Sequence, residues 1–540
     1  MLQEPVETMS ASGKTGGLLK NTFTVGAFTA LSRVLGLVRE MLQSRIVGAG
    51  MEQSAFTLAF AIPNMARKLF GEGALTAAFV PVFAKTLRGD EMSGDPARRL
   101  EAAARLARSV MTMVLLMLGS IVLLAMGGLE IVIKFREELG LQDQERLKLT
   151  IRLVKTLLPY MIFICGAAFG MGVLNSLGRF KASSFMPCLL NICWIGMLAW
   201  ISFFPEMRLD QRIHRIAMAI LAAGAAQMLF LFWRMHVAGI TPRLSFTGWA
   251  NEKVRLVWRN LGVAALGAGA VQLNYLLDQL LAYCASPWAA GVIGYAERLM
   301  DLPLGVIGVA FGTVLLPTFA GLFAKGDEDG ARNALASGVQ SLMFVMFPAS
   351  VGLFVLAPEV TSVIYEGGAF GAEATVRVSR ALAVYAFGLC FFGFTKSMVP
   401  WFQAQNDMKT PLRVSLVTVV VNAVLNVAAV LLLPEEWRHV GLAASTVVCA
   451  VIGCVLLVAF ARRKNGRLGL SSCAAALASM LAASLLMGVV LYFMRPMFAG
   501  VNRVLSLCAM VASGMLVYAI ASVALLRGQV KTLLRRRRSS

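Results

Sequence analysis

Ser32-Arg33-Val34-Leu35-Gly36-Leu37-Val38-Arg39-Glu40 sets two arginines and a glutamate inside an otherwise apolar run, and a third arginine, Arg45, follows near its end. A charge buried in a membrane costs at least a few kcal/mol, so it is retained for a partner or a purpose. At about 100° per residue, Asn21, Thr22, Thr29, Ser32, Arg33, Gly36, Arg39, Glu40, Gln43 and Ser44 fall within an arc of roughly 140°. Leu31, Val34, Leu35, Val38, Met41 and Leu42 fall opposite. The run reads as one helix with an apolar face for lipid or protein and a cationic, small-residue face for something else. Arg45 falls off the polar arc and is placed to snorkel to the interface.

The rest of the chain repeats the apolar theme. It has 540 residues, 58% hydrophobic and 15% charged, with a mean hydropathy of +0.73. A soluble protein of this size carries about 25% charged residues. Runs of about 20 apolar residues, the length of one membrane crossing, recur throughout, and about fourteen can be counted. Their approximate spans are 18–46, 54–85, 103–133, 149–176, 184–204, 213–236, 258–284, 288–322, 333–357, 375–404, 411–433, 439–461, 471–494 and 502–526. The expected fold class is therefore an all-α polytopic membrane protein.

The net charge of +21 could point to nucleic acid, but its distribution follows the positive-inside rule. Basic residues crowd every second connection: Lys85/Arg88/Arg98/Arg99, Arg179/Lys181, Arg243/Lys253/Arg255/Arg259, Lys325/Arg332, Lys409/Arg413 and Arg462/Arg463/Lys464/Arg467. The tail Arg535-Arg536-Arg537-Arg538 continues that set and reads as a membrane-surface anchor, not a nucleic-acid patch. Both termini are expected to be cytoplasmic, as an even helix count requires. Residues 1–17 read as a disordered cytoplasmic leader, with no signal-peptide cleavage pattern. The nine cysteines are scattered without a C-x-x-C pair and read as small buried hydrophobes. His214, His236 and His439 lack ligand spacing. No Gly-rich phosphate loop, nucleophile elbow or soluble ATPase domain is seen, which argues against an enzyme.

A weak internal repeat divides the chain. Residues 74–84 read Ala-Leu-Thr-Ala-Ala-Phe-Val-Pro-Val-Phe-Ala, and 310–320 read Ala-Phe-Gly-Thr-Val-Leu-Leu-Pro-Thr-Phe-Ala. Both close a helix, in the second and eighth spans, and each is followed by a basic-then-acidic stretch (Lys85…Asp90-Glu91 and Lys325…Asp327-Glu328). Arg179-Phe180-Lys181 after the fourth span resembles Asp407-Met408-Lys409 after the tenth. An offset of six spans implies two six-helix halves in the same orientation, parallel repeats about an axis along the membrane normal. The expected organisation is a leader at 1–17, an N-lobe at 18–240, a C-lobe at 241–465, two further helices at 466–528 and a basic tail at 529–540.

Polar faces recur in both halves. On the second helix Ser54, Thr57, Asn64, Arg67, Lys68, Gly71, Glu72 and Thr76 share about half of the circumference. On the eighth, Gly294, Glu297, Arg298, Asp301, Gly305, Gly308 and Gly312 lie within about 100°. The seventh places Asn274 and Asp278 one turn apart. Lipid can satisfy none of these groups. The acids Glu40, Glu72, Glu297 and Asp301 could pair with Arg33, Arg39, Arg67 and Arg298 as packing glue. Helix interfaces usually rely on small residues and hydroxyls instead. The sharper reading is a hydrated central cavity between the lobes, cationic where the four arginines converge. Arginine's planar fork suits bidentate capture of phosphate oxygens.

These motifs together resemble the MurJ (MviN) lipid II flippases. The resemblance rests on the run from Ser32 to Glu40, on Gly48-Ala49-Gly50-Met51 and on Ile62-Pro63-Asn64-Met65-Ala66-Arg67-Lys68-Leu69-Phe70-Gly71-Glu72-Gly73. Ala78-Phe79-Val80-Pro81, Asn175-Ser176-Leu177-Gly178-Arg179-Phe180 and Ala296-Glu297-Arg298-Leu299-Met300-Asp301-Leu302-Pro303-Leu304-Gly305-Val306 extend it. It covers residues 20 to 430 clearly and is faint in the last two helices. It implies a member of the multidrug/oligosaccharidyl-lipid/polysaccharide exporter superfamily, two six-helix lobes in a V plus two C-terminal helices. It implies a multi-pass protein of the bacterial cytoplasmic (inner) membrane that moves undecaprenyl-pyrophosphate-linked disaccharide-pentapeptide, lipid II, to the outer leaflet. The family's cavity arginines fall on Arg33, Arg39, Arg67 and Arg298, its acids on Glu40 and Glu72, and its preceding serine on Ser32. The two extra helices would form a groove for the polyprenyl tail. One departure is clear: Ser54 stands where many members carry an aspartate that serves a gating ion pair, with Glu52 the nearest substitute.

Alternating access would rock the lobes around a fixed site. With no nucleotide site, coupling to an ion or to the membrane potential is expected. Asp278 with Asn422 and Asn426, joined by Thr446, offers hard oxygen ligands that suit Na⁺. Some relatives resemble this set, with an acid where Asn426 stands; an interhelical hydrogen-bond network is the alternative. Expected partners are lipid II, membrane lipids and the cell-wall synthesis machinery, with no nucleic acid. The rival functions are a flippase for another polyprenyl-linked oligosaccharide, a cation-coupled drug exporter and a non-transporting scaffold. A drug exporter would need an anionic or apolar cavity, against which the four arginines argue.

Overall fold

The computed structural model describes the backbone of residues 13–89, 95–135, 144–246, 248, 251–498 and 500–538. Within its helices, the side chains at 13–23, 71–74, 96, 135, 144, 263, 266–268, 270–271, 306–310, 312–313 and 526–538 are not described. The described chain is helical throughout. Its only β contact is an isolated bridge between Gly367 and Phe370.

The helices are α1 Gly13–Val47, α2 Met51–Ala66, a π-helical stretch Arg67–Ala74, α3 Leu75–Arg88, α4 Pro96–Phe135, α5 Gln144–Leu157, α6 Tyr160–Ser176, α7 Phe180–Ser202 and α8 Leu209–Val237. Then come α9 Glu252–Ala285, α10 Ala289–Ala324, α11 Glu328–Val355, α12 Ala357–Tyr365, α13 Ala372–Ala404, α14 Lys409–Leu432, α15 Glu435–Asn465, α16 Ala474–Met494 and α17 Arg503–Arg538. Each expected span coincides with one helix or a run of adjoining helices. Among the described residues, ten helices are long and apolar enough to cross a membrane. The expected spans 18–46, 54–85, 258–284 and 288–322 are helical too, and they are the spans with polar faces.

Four local features differ from expectation. Helix α1 begins at Gly13, so residues 13–17 are helical; residues 1–12 of the expected leader lie outside the described residues. Extending an existing helix adds a hydrogen bond per residue without a new nucleus. The fourth span breaks between α5 and α6 at Leu158-Pro159, because proline has no N–H to give to the ladder. The chain tightens there, with Met161 N donating to Leu158 O at 3.0 Å and Ile162 N to Pro159 O at 3.1 Å. The second span is interrupted by the π-helical stretch, four residues after Pro63 and holding Gly71 and Gly73. An i→i+5 ladder rotates less per residue than an α-helix, so Thr76 does not continue the face read from a 100° wheel. The short helix α12 was not anticipated.

The chain packs as two compact units. One is drawn from Met1–Val47 and Leu58–Gln272, the other from Gly48–Thr57 and Leu273–Ser540. In the first, α6 is the central helix and packs against α3, α4, α7 and α8. Small residues set its approach to α8: a Cβ on Gly170 would lie 3.1 Å from Leu231 Cβ, and one on Gly224 only 2.5 Å from the Tyr160 ring. Phe79 of α3, its ring tilted against Phe169 at 4.7 Å and Phe83 at 5.1 Å, fills the core there.

In the second unit α13 is central and packs against α10, α11 and α15. Helices α16 and α17 pack on each other and on α11, tied by Tyr518 OH donating to Phe344 O at 2.7 Å. Ion pairs Arg495–Glu359 at 2.6 Å and Arg503–Glu366 at 2.8 Å join them to α12 and the turn after it.

The two central helices, α6 and α13, are the fourth and tenth expected spans. Both end alike. Gly178 (φ 74°) and Asn406 (φ 57°) take the left-handed conformation, and the next residue's N–H reaches back, Arg179 to Leu174 O at 2.9 Å and Asp407 to Phe402 O at 3.0 Å. This is the same helix-ending hydrogen-bond pattern twice, at the very places where the sequence repeat was read.

Candidate functional site

Helix α1 is turned as its sequence predicts. Leu31, Val34 and Val38 are exposed, while Glu40, Gln43 and Ser44 are buried. The C-terminal end of its polar face therefore meets protein, while Thr29 and Arg33 nearer its start are exposed.

Around Arg39 the first unit builds a network. Arg39 Nη2 pairs with Glu40 Oε1. Its Nη1 donates to Asn191 Oδ1 on α7 at 2.9 Å. The guanidinium lies over the Trp194 ring, 4.3 Å from its centroid, a cation–π contact. Asn191 Nδ2 in turn donates to Ser32 O at 3.0 Å and to Ser32 Oγ at 3.4 Å. Ser32, Arg39 and Glu40 are thus brought together, and Arg33 is exposed on the same helix. Arg67 heads the π-helical stretch, its Nε donating to Asn64 Oδ1 at 3.1 Å. Such stretches recur at functional sites. The Glu72 side chain lies outside the described residues.

The second unit holds the other charges. Glu297 and Arg298 are half-buried and Asp301 is exposed. Glu297 accepts from Gln279 Nε2 at 3.5 Å and from Tyr385 OH at 3.4 Å. On α9, next to Gln279, Asp278 collects three amides: Asn422 at 2.9 Å, Asn426 at 2.6 Å and Asn274 at 3.3 Å. Asn422 and Asn426 are each 1% exposed, yet their amide oxygens meet no donor. The Thr446 hydroxyl donates to Leu442 O at 3.2 Å. Among the described residues no group of three or more His, Cys, Asp or Glu side chains could hold a metal.

The start of α2 is built into the second unit. Tyr295 OH donates to Gly48 O at 3.1 Å. Gly48 (φ +81°) needs its missing side chain twice over, because a Cβ there would also lie 2.6 Å from Ala369 O. Ser54 is fully buried and its Oγ accepts Gly291 N–H at 3.0 Å. A neutral side chain spent on a backbone donor carries no ion pair.

Sequence reasoning missed Asn191, Trp194, Gln279 and Tyr385. A lone asparagine inside the apolar run of α7 was the available signal. An apolar cavity of about 420 Å³ also lies between α11, α13 and α16, lined by Val351, Phe354, Phe387, Leu485, Val489 and Phe493.

The fold has close solved counterparts. A structure described as lipid II flippase MurJ in an inward closed conformation superposes with a TM-score of 0.75, covering 94% of this chain and 99% of that one at 23% identity. An inward-facing multidrug resistance MATE transporter of the MOP superfamily superposes at 0.63, over 81% and 95% of the two chains at 17% identity. The fold is therefore one that multi-pass membrane transporters take.

Sequence comparison narrows the class. The family model described as lipid II flippase MurJ matches residues 43–513. The probable lipid II flippase MurJ of Rhizobium tropici is 32% identical over 478 residues, 88% of this chain and 87% of that protein. The Vibrio cholerae counterpart is 32% identical over 446 residues, 82% of each. The chain belongs to the MurJ family.

Proposed function

We propose that the protein carries lipid II from the cytoplasmic to the outer leaflet of the bacterial cytoplasmic membrane by alternating access. The observation that carries this reading is membership of the MurJ family across residues 43–513, joined to the partly buried network that holds Arg39 on α1. It is a transporter and performs no bond chemistry.

The physical task is to take a dianionic pyrophosphate and its polar head past a low-dielectric layer. Arg33, Arg39 and Arg67 of the N-lobe (18–240) and Arg298 of the C-lobe (241–465) supply the cationic surface of a hydrated central cavity. Glu40, Glu72, Glu297 and Asp301 hold those arginines and compete with substrate, so that binding stays reversible. The polyprenyl tail stays in lipid and follows a groove formed by residues 466–528; the apolar cavity beside α16 supports that assignment. The chain crosses fourteen times, with the leader and the basic tail at 529–540 both cytoplasmic. The basic connections support that orientation. Cell-wall synthesis enzymes that consume the product are natural partners.

Asp278, Asn422 and Asn426 would hold the coupling cation, Na⁺. Buried amide oxygens without donors, beside a carboxylate, are the donor chemistry such an ion needs. The ion would offset the charge of Asp278 and so favour one packing of α9 against α14. The Thr446 hydroxyl oxygen would join this set.

The test is transport. Arg39→Ala and Arg298→Ala should each abolish lipid II translocation while the protein still inserts. Depletion in the native cell should raise inner-leaflet lipid II. Wild-type translocation in either variant, or a normal leaflet distribution on depletion, overturns the reading.

A further inference from the structure

We propose that Asn191 and Trp194 of α7 aim Arg39 at the anionic group of the substrate, as positioning residues that never touch the substrate themselves. The inference rests on the reading of Arg39 as a substrate-binding residue. Neither residue is charged, and neither belongs to any motif that marks the site.

The geometry fixes the guanidinium in two ways. Trp194 is 1% exposed and is backed edge-on by Phe60, 5.6 Å away. Its immobile ring sets the plane of the cation stacked on it. Asn191 is 6% exposed, and its oxygen takes one N–H of that plane at 2.9 Å. The amide cannot turn over, because its nitrogen is engaged by the Ser32 carbonyl at 3.0 Å. Gly36, one turn from both Ser32 and Arg39, faces the amide: a Cβ there would lie in ordinary contact, 3.9 Å from Asn191 Nδ2. Arg39 extends back toward the start of α1, as long helical side chains do, and so reaches this amide.

The chemistry favours an asparagine here. Its neutral oxygen orients the cation without cancelling its charge, while Glu40 already supplies one carboxylate. A preorganised guanidinium gives up less rotamer freedom when an anion binds. A freely moving one would have to be ordered at each transport cycle. Asn191 and Trp194 therefore act on affinity for the anion through Arg39 alone.

A double-mutant cycle on lipid II binding tests this, using the purified full-length protein in lipid nanodiscs. Arg39→Ala, Asn191→Leu, Trp194→Leu, Trp194→Phe and the double variant Asn191→Leu/Arg39→Ala are compared. Asn191→Leu and Trp194→Leu should each weaken binding about tenfold, and Trp194→Phe, which keeps a π face, about threefold at most. In the Arg39→Ala background, Asn191→Leu should change affinity less than about twofold. An equal loss in both backgrounds overturns the proposal, since Asn191 would then act independently of Arg39. So does an Asn191→Leu variant that binds normally while Arg39→Ala binds weakly. If Arg39→Ala itself binds normally, the reading of the site fails and this inference falls with it. Asn191→Ser, which removes the amide without adding hydrocarbon, repeats the cycle should the leucine variant not fold.

Discussion

Replacing Asn426 with aspartate sets a second carboxylate against the first. The Asn426 nitrogen lies 2.6 Å from Asp278 Oδ1, so the substitution turns a donor into an acceptor at contact distance. Losing a hydrogen bond to a charged group costs about 1.5–3 kcal/mol. Two carboxylates about 4 Å apart repel by about 4 kcal/mol at an effective dielectric constant near 20. The sum, roughly 5–7 kcal/mol, rivals the net stability of a typical domain. Asn426→Asp should therefore be severely destabilised in sodium-free buffer. A bound cation reverses the sign of the repulsion. Sodium at a hundredfold excess over its dissociation constant would restore about 2.7 kcal/mol, close to half the loss. The assay is the unfolding temperature of detergent-solubilised protein at pH 8, in sodium chloride against choline chloride at equal ionic strength. The variant should melt far below wild type in choline and recover about half the gap in sodium. An unfolding temperature for the variant that is the same in both salts would refute the ion site and leave a hydrogen-bond network in its place.

Three further outcomes can be measured the same way. Asn406→Ala should lower stability by about 1–2 kcal/mol, because an alanine pays the left-handed strain in full, while Asn406→Gly should be neutral or stabilising. Burial alone would raise the carboxyl of Asp407, but hydrogen bonds from the Thr410 backbone and hydroxyl and from Lys464 outweigh it and hold the group below the usual carboxylate range. A depressed carboxyl stabilises the fold above its unfolded value, about 3.9, and loses that contribution as pH falls through the lower folded value; Asp407→Asn should flatten the stability profile below about pH 4, and an unchanged acid limb would count against the assignment. Gly224→Ala should cost about 1–3 kcal/mol by overpacking against Tyr160, whereas Gly196→Ala, with nothing within 4 Å, should leave the unfolding temperature unchanged or slightly raised.

Periodicity carried much of this fold because the membrane enforces it. The polar face of α1 was legible from spacing alone, and Leu31, Val34 and Val38 are exposed on the side opposite Glu40. The sequence repeat at Arg179 and Asp407 marked two helix ends that share one backbone geometry. What spacing could not show was set by contacts between distant segments. Asn191 lies 152 residues from Arg39, and nothing local to α7 marks it as that residue's partner. The π-helical stretch escaped notice because a helical wheel assumes one rotation per residue throughout. The role of Ser54 is legible only beside Gly291, a backbone donor that no side-chain pattern reveals. Asp278, Asn422 and Asn426 were grouped from residue type, and they do meet.

The pairing of Arg39 with α7 also bears on how the chain enters the membrane. Helix α1 carries Arg33, Arg39 and Glu40, and each charge costs about 2.5–3.5 kcal/mol at the centre of an inserting helix. During synthesis, at about 5–20 residues per second, the 152 residues that separate Arg39 from Asn191 take roughly 8–30 s to appear. Throughout that interval the amide and the indole ring that receive Arg39 do not yet exist. Until α7 arrives, Arg39 has Glu40 beside it on α1 but lacks two of the groups that hold it in the folded unit. The first helix of this unit to be translated is therefore completed by one made much later.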